Sequence, residues 1–219
     1  MPINRRTQPA SCRKHDHDGD AAAKTMIPND LRGKVGTDPA HATVDTMKVP
    51  YRHPQPAGMV PDLVLPGLLQ LAQDPNAGDP REWVPLTDTV FFKPILLNVS
   101  HGYYANLLRV TRGGVLSRHR HSGAVHALVL KGRWHYLEHD WVAETGSYAF
   151  EPPGETHTLV VPDECEEMVT YFIVNGSLTY VDPDGRATGY DDVFTRLAIC
   201  ADHFERVGLG RNYVQKFVR

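Results

Sequence analysis

The sequence reads GGVLSRHRH at residues 113–121 and GSYAFEPPGETH at residues 146–157. In the first stretch, His119 and His121 stand two residues apart, so both side chains point to one face if the stretch is a strand. In the second, a strand runs into a Pro-Pro-Gly turn that delivers His157 to the start of the next strand. Three imidazoles on two facing strands hold a metal and leave open positions on it. The spacing therefore predicts a metal centre of these three histidines, with room for a substrate or oxygen.

Many short strand patterns surround the two stretches. Runs rich in β-branched, aromatic and aliphatic residues, separated by turn signals, predict strands at residues 89–97, 103–111, 125–130, 133–138, 147–150, 158–161, 168–174 and 178–181. Short strands between frequent tight turns are typical of an all-β sandwich or barrel.

Two helical patterns flank these strands. An apolar stretch after Pro66 predicts a short N-terminal helix, since proline suits the first helical turn. Towards the other end, apolar residues recur at helical spacing at positions 193, 197, 200 and 204, and Gly208 follows as a stop signal. We expect this C-terminal helix, at about 190–207, to pack against the barrel.

The composition limits the class of protein. The chain has 219 residues, of which 41% are hydrophobic and 22% charged, as in an ordinary globular domain with an added segment. The net charge of −3 gives no basic excess for a phosphate backbone, and no apolar run reaches the ~18–20 residues of a membrane span. We therefore expect neither a nucleic-acid partner nor a membrane partner.

The cysteines and the N-terminal region indicate the compartment. The cysteines, Cys12, Cys165 and Cys200, are an odd and scattered set that suits neither a disulfide framework nor a CxxC redox motif. The first residues are basic but lack the apolar core of a secretory signal. A reducing compartment fits this pattern, so we expect a cytoplasmic protein.

The first fifty residues differ from the rest, because the first aromatic residue is Tyr51. Such a segment buries too little apolar area to offset its ordering entropy. We therefore predict a flexible polar leader at 1–48 and a single domain at 49–219, with the metal-site core at about 90–180. The run His15-Asp16-His17-Asp18 is a weak metal-binding pattern, and a solvated tail is the favoured interpretation.

The two histidine stretches resemble the paired motifs of the cupin superfamily. Residues 113–121 match G-x5-HxH, and residues 146–157 match G-x5-PxGxxH. The resemblance implies a cupin double-stranded β-barrel, which is jelly-roll-like, with the metal inside its mouth.

The match departs from the usual cupin pattern at two places. The glutamate that usually follows the second histidine by four or five residues is replaced by Val125 and His126, and the usual asparagine of the second motif is Val161. The missing carboxylate implies a three-histidine site, as in cupins that cleave carbon–carbon bonds with ferrous iron. His126 is an alternative fourth ligand, although strand parity turns it away from the metal, and Glu138 is another.

A narrower resemblance covers residues from about 62 to 210. It is carried mainly by SRHRHSGAVHALVLKGRWHYLEHDWVAETGSYAFEPPGETHTLVV at residues 117–161, which looks like the 2,4'-dihydroxyacetophenone dioxygenase family. The resemblance implies non-haem Fe(II), O2 and a small aromatic hydroxyketone. It also implies cleavage between the aryl ketone carbonyl and its hydroxymethyl carbon, giving 4-hydroxybenzoate and formate. Zn, Ni or Mn would also suit three imidazoles in purified protein.

Two residues are candidates for the catalytic work. A base must remove a proton from the hydroxyketone, and Glu151 stands six residues before His157 in one strand-turn unit. The resemblance supports this role, and a structural pairing of Glu151 with Arg118 or Arg120 is the alternative. Tyr136 orients substrate or ligand if its face of the predicted strand points into the barrel.

Four further residues near the motifs carry structural expectations. Tyr136 alternates with Glu138 on the predicted strand, and an outer half-buried face is the alternative for both. Trp134 and Tyr104 are expected in the core. Glu155, beside the tight turn, is expected to be exposed.

Functions of other classes stay open at this point. One is a non-catalytic metal-binding or sensor cupin, like the zinc-binding cupin of some anti-sigma factors. Another is an O2-independent hydrolase or isomerase that uses a divalent metal as a Lewis acid. In each case we expect a homodimer or homotetramer, in which the strand at 89–97 and the C-terminal helix pair with a second subunit.

Overall fold

Strands dominate residues 50–219, which are the residues that the computed structural model describes. The leader predicted at 1–48, with its His-Asp run, lies outside them. Residues 55–219 form one compact unit. Its strands are β1 (Val84–Pro85), β2 (Val90–Asn98), β3 (Tyr103–Val110), β4 (Gly114–His121), β5 (Val125–Lys131), β6 (Arg133–Tyr136), β7 (Ala143–Glu144), β8 (Tyr148–Glu151), β9 (Thr156–Val161), β10 (Met168–Asn175), β11 (Leu178–Val181) and β12 (Ala187–Asp191).

The strands form two six-stranded antiparallel sheets, in the orders β1-β2-β3-β10-β5-β8 and β12-β11-β4-β9-β6-β7. Consecutive strands such as β4 and β5 lie in opposite sheets, so the chain passes repeatedly from one sheet to the other, as in a jelly roll. The predicted all-β, cupin-like barrel is therefore confirmed. The predicted strands are all present, and the sequence reading missed β12 and the two-residue strands β1 and β7.

Inward-facing side chains from both sheets fill the space between them. Trp134 of β6, Leu159 of β9 and Phe172 of β10 are buried members of this core. Trp134 is fully buried, as predicted. A second apolar cluster joins α1 (Leu68–Gln73) to the outer side of the first sheet. The central strands of that sheet are consequently buried on both faces.

The C-terminal helix, α2 (Val193–Arg206), begins at a capping box in which Asp192 accepts hydrogen bonds from the backbone of Phe194 and Thr195. It ends just before Gly208, which has a positive φ of 78°. Its apolar side packs on the barrel, as predicted from the helical spacing. No helix in the described part of the chain has the length and apolar character needed to cross a bilayer.

The outer edge of β2 is covered within the chain itself. β1 pairs with β2 near Phe92, and Val218 forms a parallel bridge with Leu97. The backbone of Arg219 adds hydrogen bonds of 3.0 Å to Leu97 and Val99. These neighbours cover the edge at Phe91, Phe92 and Leu97, and the pairing of strand 89–97 with a second subunit stays a prediction.

Candidate metal centre

The three predicted metal ligands meet inside the barrel. β4 and β9 pair so that His119 stands directly opposite His157, and His121 follows on the same face of β4. One ring nitrogen from each of the three lies within 4.8 Å of the others. The Nε2 atoms of His121 and His157 are 3.2 Å apart. All three side chains are buried, so their nitrogens converge at a point shielded from bulk water.

Neighbouring side chains hold two of these rings in place. The Nδ1 atom of His119 lies 3.0 Å from the hydroxyl oxygen of Ser117. With a proton on Nδ1, His119 donates to Ser117 and its Nε2 lone pair is left for a metal. The ring of Tyr136 stacks on His157, with the ring centroids 3.5 Å apart and the planes at 9°. Tyr136 therefore faces the interior, and the alternative of an outer face for this residue is wrong.

Burial keeps the imidazoles neutral. It lowers the pKa of His119 to about 3, with the neighbouring His121 as a second cause. Burial also lowers the pKa of His121 to about 4 and that of His157 to about 2. Neutral imidazole is the form that binds a metal, so at neutral pH the site is already in its binding form.

Glu151, at the end of β8, brings a carboxylate to the same point. Its Oε2 atom lies 3.4 Å from Nε2 of His121 and 3.7 Å from Nε2 of His157. Neither carboxylate oxygen has a hydrogen-bond partner among residues 50–219. Burial raises the pKa of Glu151 to about 7. A pairing of Glu151 with Arg118 or Arg120 is absent from the described residues, and Arg118 instead donates to Thr158.

The two candidates for a fourth ligand lie elsewhere. His126 points to the other face of β5, where its Nδ1 atom is 2.7 Å from the hydroxyl of the exposed Tyr148. Glu138 is in the turn after β6 and accepts two hydrogen bonds from Thr158, at 2.7 Å to its backbone nitrogen and 2.8 Å to its hydroxyl. Glu138 thus holds Thr158, the residue next to His157, in place through these two hydrogen bonds.

Glu155 is half-buried, and the expectation that it is exposed is wrong. Its carboxylate pairs with Nε2 of His139 at 2.6 Å and lies 3.9 Å from Nδ1 of His157. A negative charge on that side favours a proton on Nδ1 of His157, which leaves Nε2 free as a ligand atom. The sequence could have indicated a contact between Glu155 and His157, because Glu155 lies two residues before His157 in the turn that places the histidine.

A cavity of about 390 Å³ opens in front of the histidines. Its lining is mainly apolar and includes Leu108, Leu116 and Phe172, while His119, His121, Tyr136 and Glu151 form one polar part of the wall. Such a chamber suits a small ligand with an apolar body. Tyr104 and Arg196 also line it. The sequence reading placed Tyr104 in the core and did not single out Arg196.

The donor set fits a divalent transition metal. Three neutral imidazole nitrogens converge in a buried place, which suits Fe, Zn, Ni or Mn alike. The buried carboxylate of Glu151 lacks a partner in the described part of the chain, and a cation nearby would supply one. Because the cavity opens on the same point, positions on such a metal would be accessible to a small molecule.

Comparison with known proteins agrees with this architecture. Residues 77–179 match the family model described as the ChrR cupin-like domain. No curated protein matches the chain. An RmlC-like cupin protein from Ralstonia eutropha JMP134 has a similar structure, with a TM-score of 0.56 and 28% sequence identity over 57% of this chain and 83% of the other.

Two further solved structures show the same fold at lower identity. An acetylacetone dioxygenase from Acinetobacter johnsonii has a TM-score of 0.55 and 14% identity, covering 70% of this chain and 99% of that protein. A protein from Methylibium petroleiphilum PM1, described as a putative acetylacetone dioxygenase, has a TM-score of 0.51 and 18% identity over 65% of this chain and 99% of its own. At these identities the likeness concerns the fold.

Proposed function

We propose that this chain, which belongs to the cupin superfamily, is a metal-dependent dioxygenase that cleaves a small aryl hydroxyketone. One observation carries the proposal: a buried three-histidine cluster and the partnerless carboxylate of Glu151 share one wall of an apolar cavity. The fold likeness to an acetylacetone dioxygenase supports it. The resemblance of residues 117–161 to 2,4'-dihydroxyacetophenone dioxygenases supplies the substrate class.

The overall reaction is balanced by O2 alone. An aryl hydroxymethyl ketone and O2 give an aryl carboxylic acid and formic acid, with the carbonyl–hydroxymethyl bond broken and one oxygen atom added to each fragment. His119, His121 and His157 would hold the metal, for which iron is the choice that the resemblance implies. When bound, the metal supplies a Lewis-acidic and redox-active centre for the ketone oxygens and O2.

Glu151 is the proposed general base. In the metal-free protein burial raises the pKa of Glu151 to about 7, so this carboxylate is a stronger base than an ordinary glutamate. Its position beside His121 places it within reach of a substrate held by the histidines. We assign to it the removal of a proton from the hydroxymethyl group, which gives the substrate the anionic form that a cationic centre favours.

Tyr136 is proposed as a positioning residue. Its ring covers the face of His157 and so fixes the plane of that imidazole. Burial and the neighbouring Glu151 raise the pKa of Tyr136 far above its ordinary value, so its hydroxyl stays protonated and able to donate. The surrounding apolar side chains exclude water, which strengthens each of these interactions.

The test measures O2 consumption and formate release with 2,4'-dihydroxyacetophenone and iron-loaded protein. We expect one formate for each O2, and loss of both in His119→Ala and in His157→Ala. His126→Ala is the matched control, because it removes the same side chain from the outer face of β5 and should keep full activity. Tight iron binding without O2 uptake would contradict the dioxygenase assignment.

The role of Glu151 has its own readout. In Glu151→Gln we expect iron to bind while turnover falls about 100-fold or more, the range typical of a lost general base. In the metal-free protein burial raises the pKa of Glu151 to about 7, and a bound cation lowers it, because it favours the carboxylate. The wild-type rate of the iron-loaded enzyme should therefore rise with pH below 7 as Glu151 ionises, and the residual rate of the variant should lack that rise. An unchanged pH profile in the variant would remove Glu151 from this role.

A metal-sensing role is the second candidate, favoured by the match of residues 77–179 to the ChrR cupin-like domain. The same buried histidines would then hold a metal such as zinc for a structural or signalling purpose. Metal-dependent binding of a protein partner, together with the absence of O2 uptake for any hydroxyketone or diketone, would favour this role over catalysis.

We also propose a cytoplasmic homo-oligomer. Cys165 and Cys200 are buried free thiols, which suits a reducing compartment. β8 ends its sheet, and the aromatic side chains of Tyr148 and Phe150 on it are exposed. A second copy of the chain would cover this edge. Light scattering at micromolar concentration tests the assembly, and a monomeric mass would contradict it.

A further inference from the structure

A charged group lies inside the barrel in a place that the proposed reaction does not use. Arg196 is on the inner side of α2, is 5% exposed, and lines the same cavity as His119 and His121. Arginine is almost never fully buried unless its charge and its N–H groups have partners. The surroundings of Arg196 therefore show what it is built to bind.

Arg196 is only partly satisfied within the chain. One of its terminal nitrogens, Nη2, pairs with Asp191 at the end of β12, and the guanidinium carbon lies 4.4 Å from the ring centre of Phe92. Asp191 also accepts a hydrogen bond of 2.6 Å from the hydroxyl of Thr195. The Nε and Nη1 atoms of Arg196 have no hydrogen-bond partner anywhere in residues 50–219.

A second unpartnered donor stands beside the guanidinium. Tyr104 of β3 is 1% exposed, and its ring centre is 5.2 Å from the guanidinium carbon of Arg196. Its hydroxyl likewise has no hydrogen-bond partner within the described range. Burial raises the pKa of Tyr104, so the hydroxyl stays protonated and can donate. Two buried side chains in the wall of the cavity thus carry hydrogen-bond donors for which the described residues provide no acceptor.

The register of the strands relates this pair to the histidines. β11 lies next to β4, and Tyr180 of β11 stands opposite His119, with ring centroids 6.3 Å apart. The hydroxyl of Tyr180 is 3.5 Å from Oδ2 of Asp191, the partner of Arg196. Glu151 lies on the other side, since β9 and β6 continue the sheet in that direction and β8 ends the opposite sheet. The guanidinium and Glu151 therefore flank the histidines from opposite sides.

We propose that Arg196 and Tyr104 form a subsite for an oxyanion carried by the substrate, at the end remote from the oxygens that face the histidines. The ligand class is a compact, mainly apolar molecule, of a size for a cavity of about 390 Å³, that bears a carboxylate or a phenolate. A neutral diketone without such a group would leave both buried donors unpaired, and the site would discriminate against it. The assignment deepens the proposed function and rests on it only for the orientation of the substrate.

The test measures ligand binding to metal-free protein at pH 7.5, so it does not depend on turnover. The probes are benzoate, 4-hydroxybenzoate and benzamide, the neutral analogue of benzoate, with calorimetry as the readout. We expect saturable binding of benzoate that is about tenfold tighter than that of benzamide, the difference given by one charge-assisted hydrogen bond. Comparison of benzoate with 4-nitrophenol, a phenol acidic enough to be mostly ionised at pH 7.5, shows whether carboxylate or phenolate is the preferred oxyanion.

Two substitutions connect the binding to the named residues. Tyr104→Phe removes only the unpartnered hydroxyl, so the fold is kept, and benzoate binding should weaken several-fold. Tyr148→Phe is the matched control, because it removes a hydroxyl from an exposed tyrosine on the outer face of β8. Arg196→Lys keeps a positive charge opposite Asp191 while it removes the planar group, and it should abolish the preference for benzoate over benzamide.

Each outcome decides the subsite separately from the reaction. Equal affinity for benzoate and benzamide, unchanged benzoate binding in Tyr104→Phe, or no saturable anion binding at millimolar concentration would overturn the subsite. If anion binding requires Tyr104 and Arg196 but O2 uptake fails with the hydroxyketone, the subsite stands and the dioxygenase proposal fails. If O2 uptake occurs and Tyr104→Phe leaves KM unchanged, the dioxygenase proposal stands and the subsite fails.

Discussion

Replacement of Glu151 by glutamine should stabilise the metal-free protein at alkaline pH and leave it almost unchanged at acid pH. The Glu151 carboxyl is 3% exposed, and neither oxygen has a hydrogen-bond partner in the described residues. Its ionised form therefore carries a desolvation penalty that the neighbouring Tyr136 hydroxyl offsets only in part. Glutamine has nearly the same shape and no charge, so the substitution isolates this penalty.

The magnitude follows from the pKa. Burial raises the pKa of Glu151 from 4.5 to about 7, an interval that corresponds to about 3 kcal/mol. Because the folded-state pKa is the higher one, the folded protein holds this proton more tightly than the unfolded chain. The resulting stabilisation is complete below pH 4.5 and is lost as the pH rises through 7. Relative to wild type, Glu151→Gln should therefore gain about 3 kcal/mol between pH 4.5 and pH 8.

Urea denaturation of both metal-free proteins at pH 5, 6.5 and 8 measures this gain. The titration of the three histidines is common to the two proteins and cancels in the difference between their free energies of unfolding. Glu155→Gln is the matched control, since it makes the same chemical change on a half-buried carboxylate that pairs with His139. A difference between Glu151→Gln and wild type that stays constant from pH 5 to pH 8 would refute the reasoning.

Three more predictions concern stability. Burial lowers the pKa of His119 to about 3 and of His121 to about 4, so unfolding takes up protons as the pH falls below 6.5. Metal-free Glu151→Gln, which lacks the opposite contribution of Glu151, should therefore lose stability in urea between pH 7.5 and 5, and equal stability of this variant at the two pH values would contradict this. Lys93→Met removes one of the two lysines that pair with the buried Glu82. Because Glu82 keeps Lys216, the substitution should cost about 2 kcal/mol in thermal unfolding, as for one lost hydrogen bond to a charged group, whereas Lys131→Met, at a pair whose lysine is 32% exposed, should cost under about 1 kcal/mol. Gly132→Ala should cost about 2 kcal/mol or more, because φ is +74° and a Cβ would meet the carbonyl oxygen of Glu167; Gly146→Ala, at φ +93° in open space, should cost clearly less, and equal losses would argue against the steric reason.

Sequence reasoning predicted the features that depend on local spacing. The HxH pair and the Pro-Pro-Gly turn place their histidines through strand parity and turn geometry, which act over a few residues. The same holds for α2, where the apolar residues recur at helical spacing. Strand β12 (Ala187–Asp191) was missed because most of it is exposed and it carries no alternating apolar pattern.

The contributions of Arg196 and Glu155 depend on long-range contacts. Arg196 shares the inner side of α2 with Val193 and Cys200, but a charged residue on such a face is ordinarily read as an interruption. The contacts of Arg196 with Asp191 and Tyr104 depend on the positions of β12 and β3 in the fold, which helical spacing does not predict. The side to which Glu155 turns depends on His139, which the fold brings from another turn. Neither partner is within helical or strand spacing.

The bridge between Leu97 and Val218 has a consequence for protein synthesis. A ribosome makes β2 long before it makes the segment that covers its edge, so the nascent chain carries an unprotected strand through most of its elongation. Refolding from denaturant has no such delay, because both partners are present from the start. Nascent chains arrested before Val218 should therefore bind chaperones and expose β2 to aggregation more than the completed protein does during refolding.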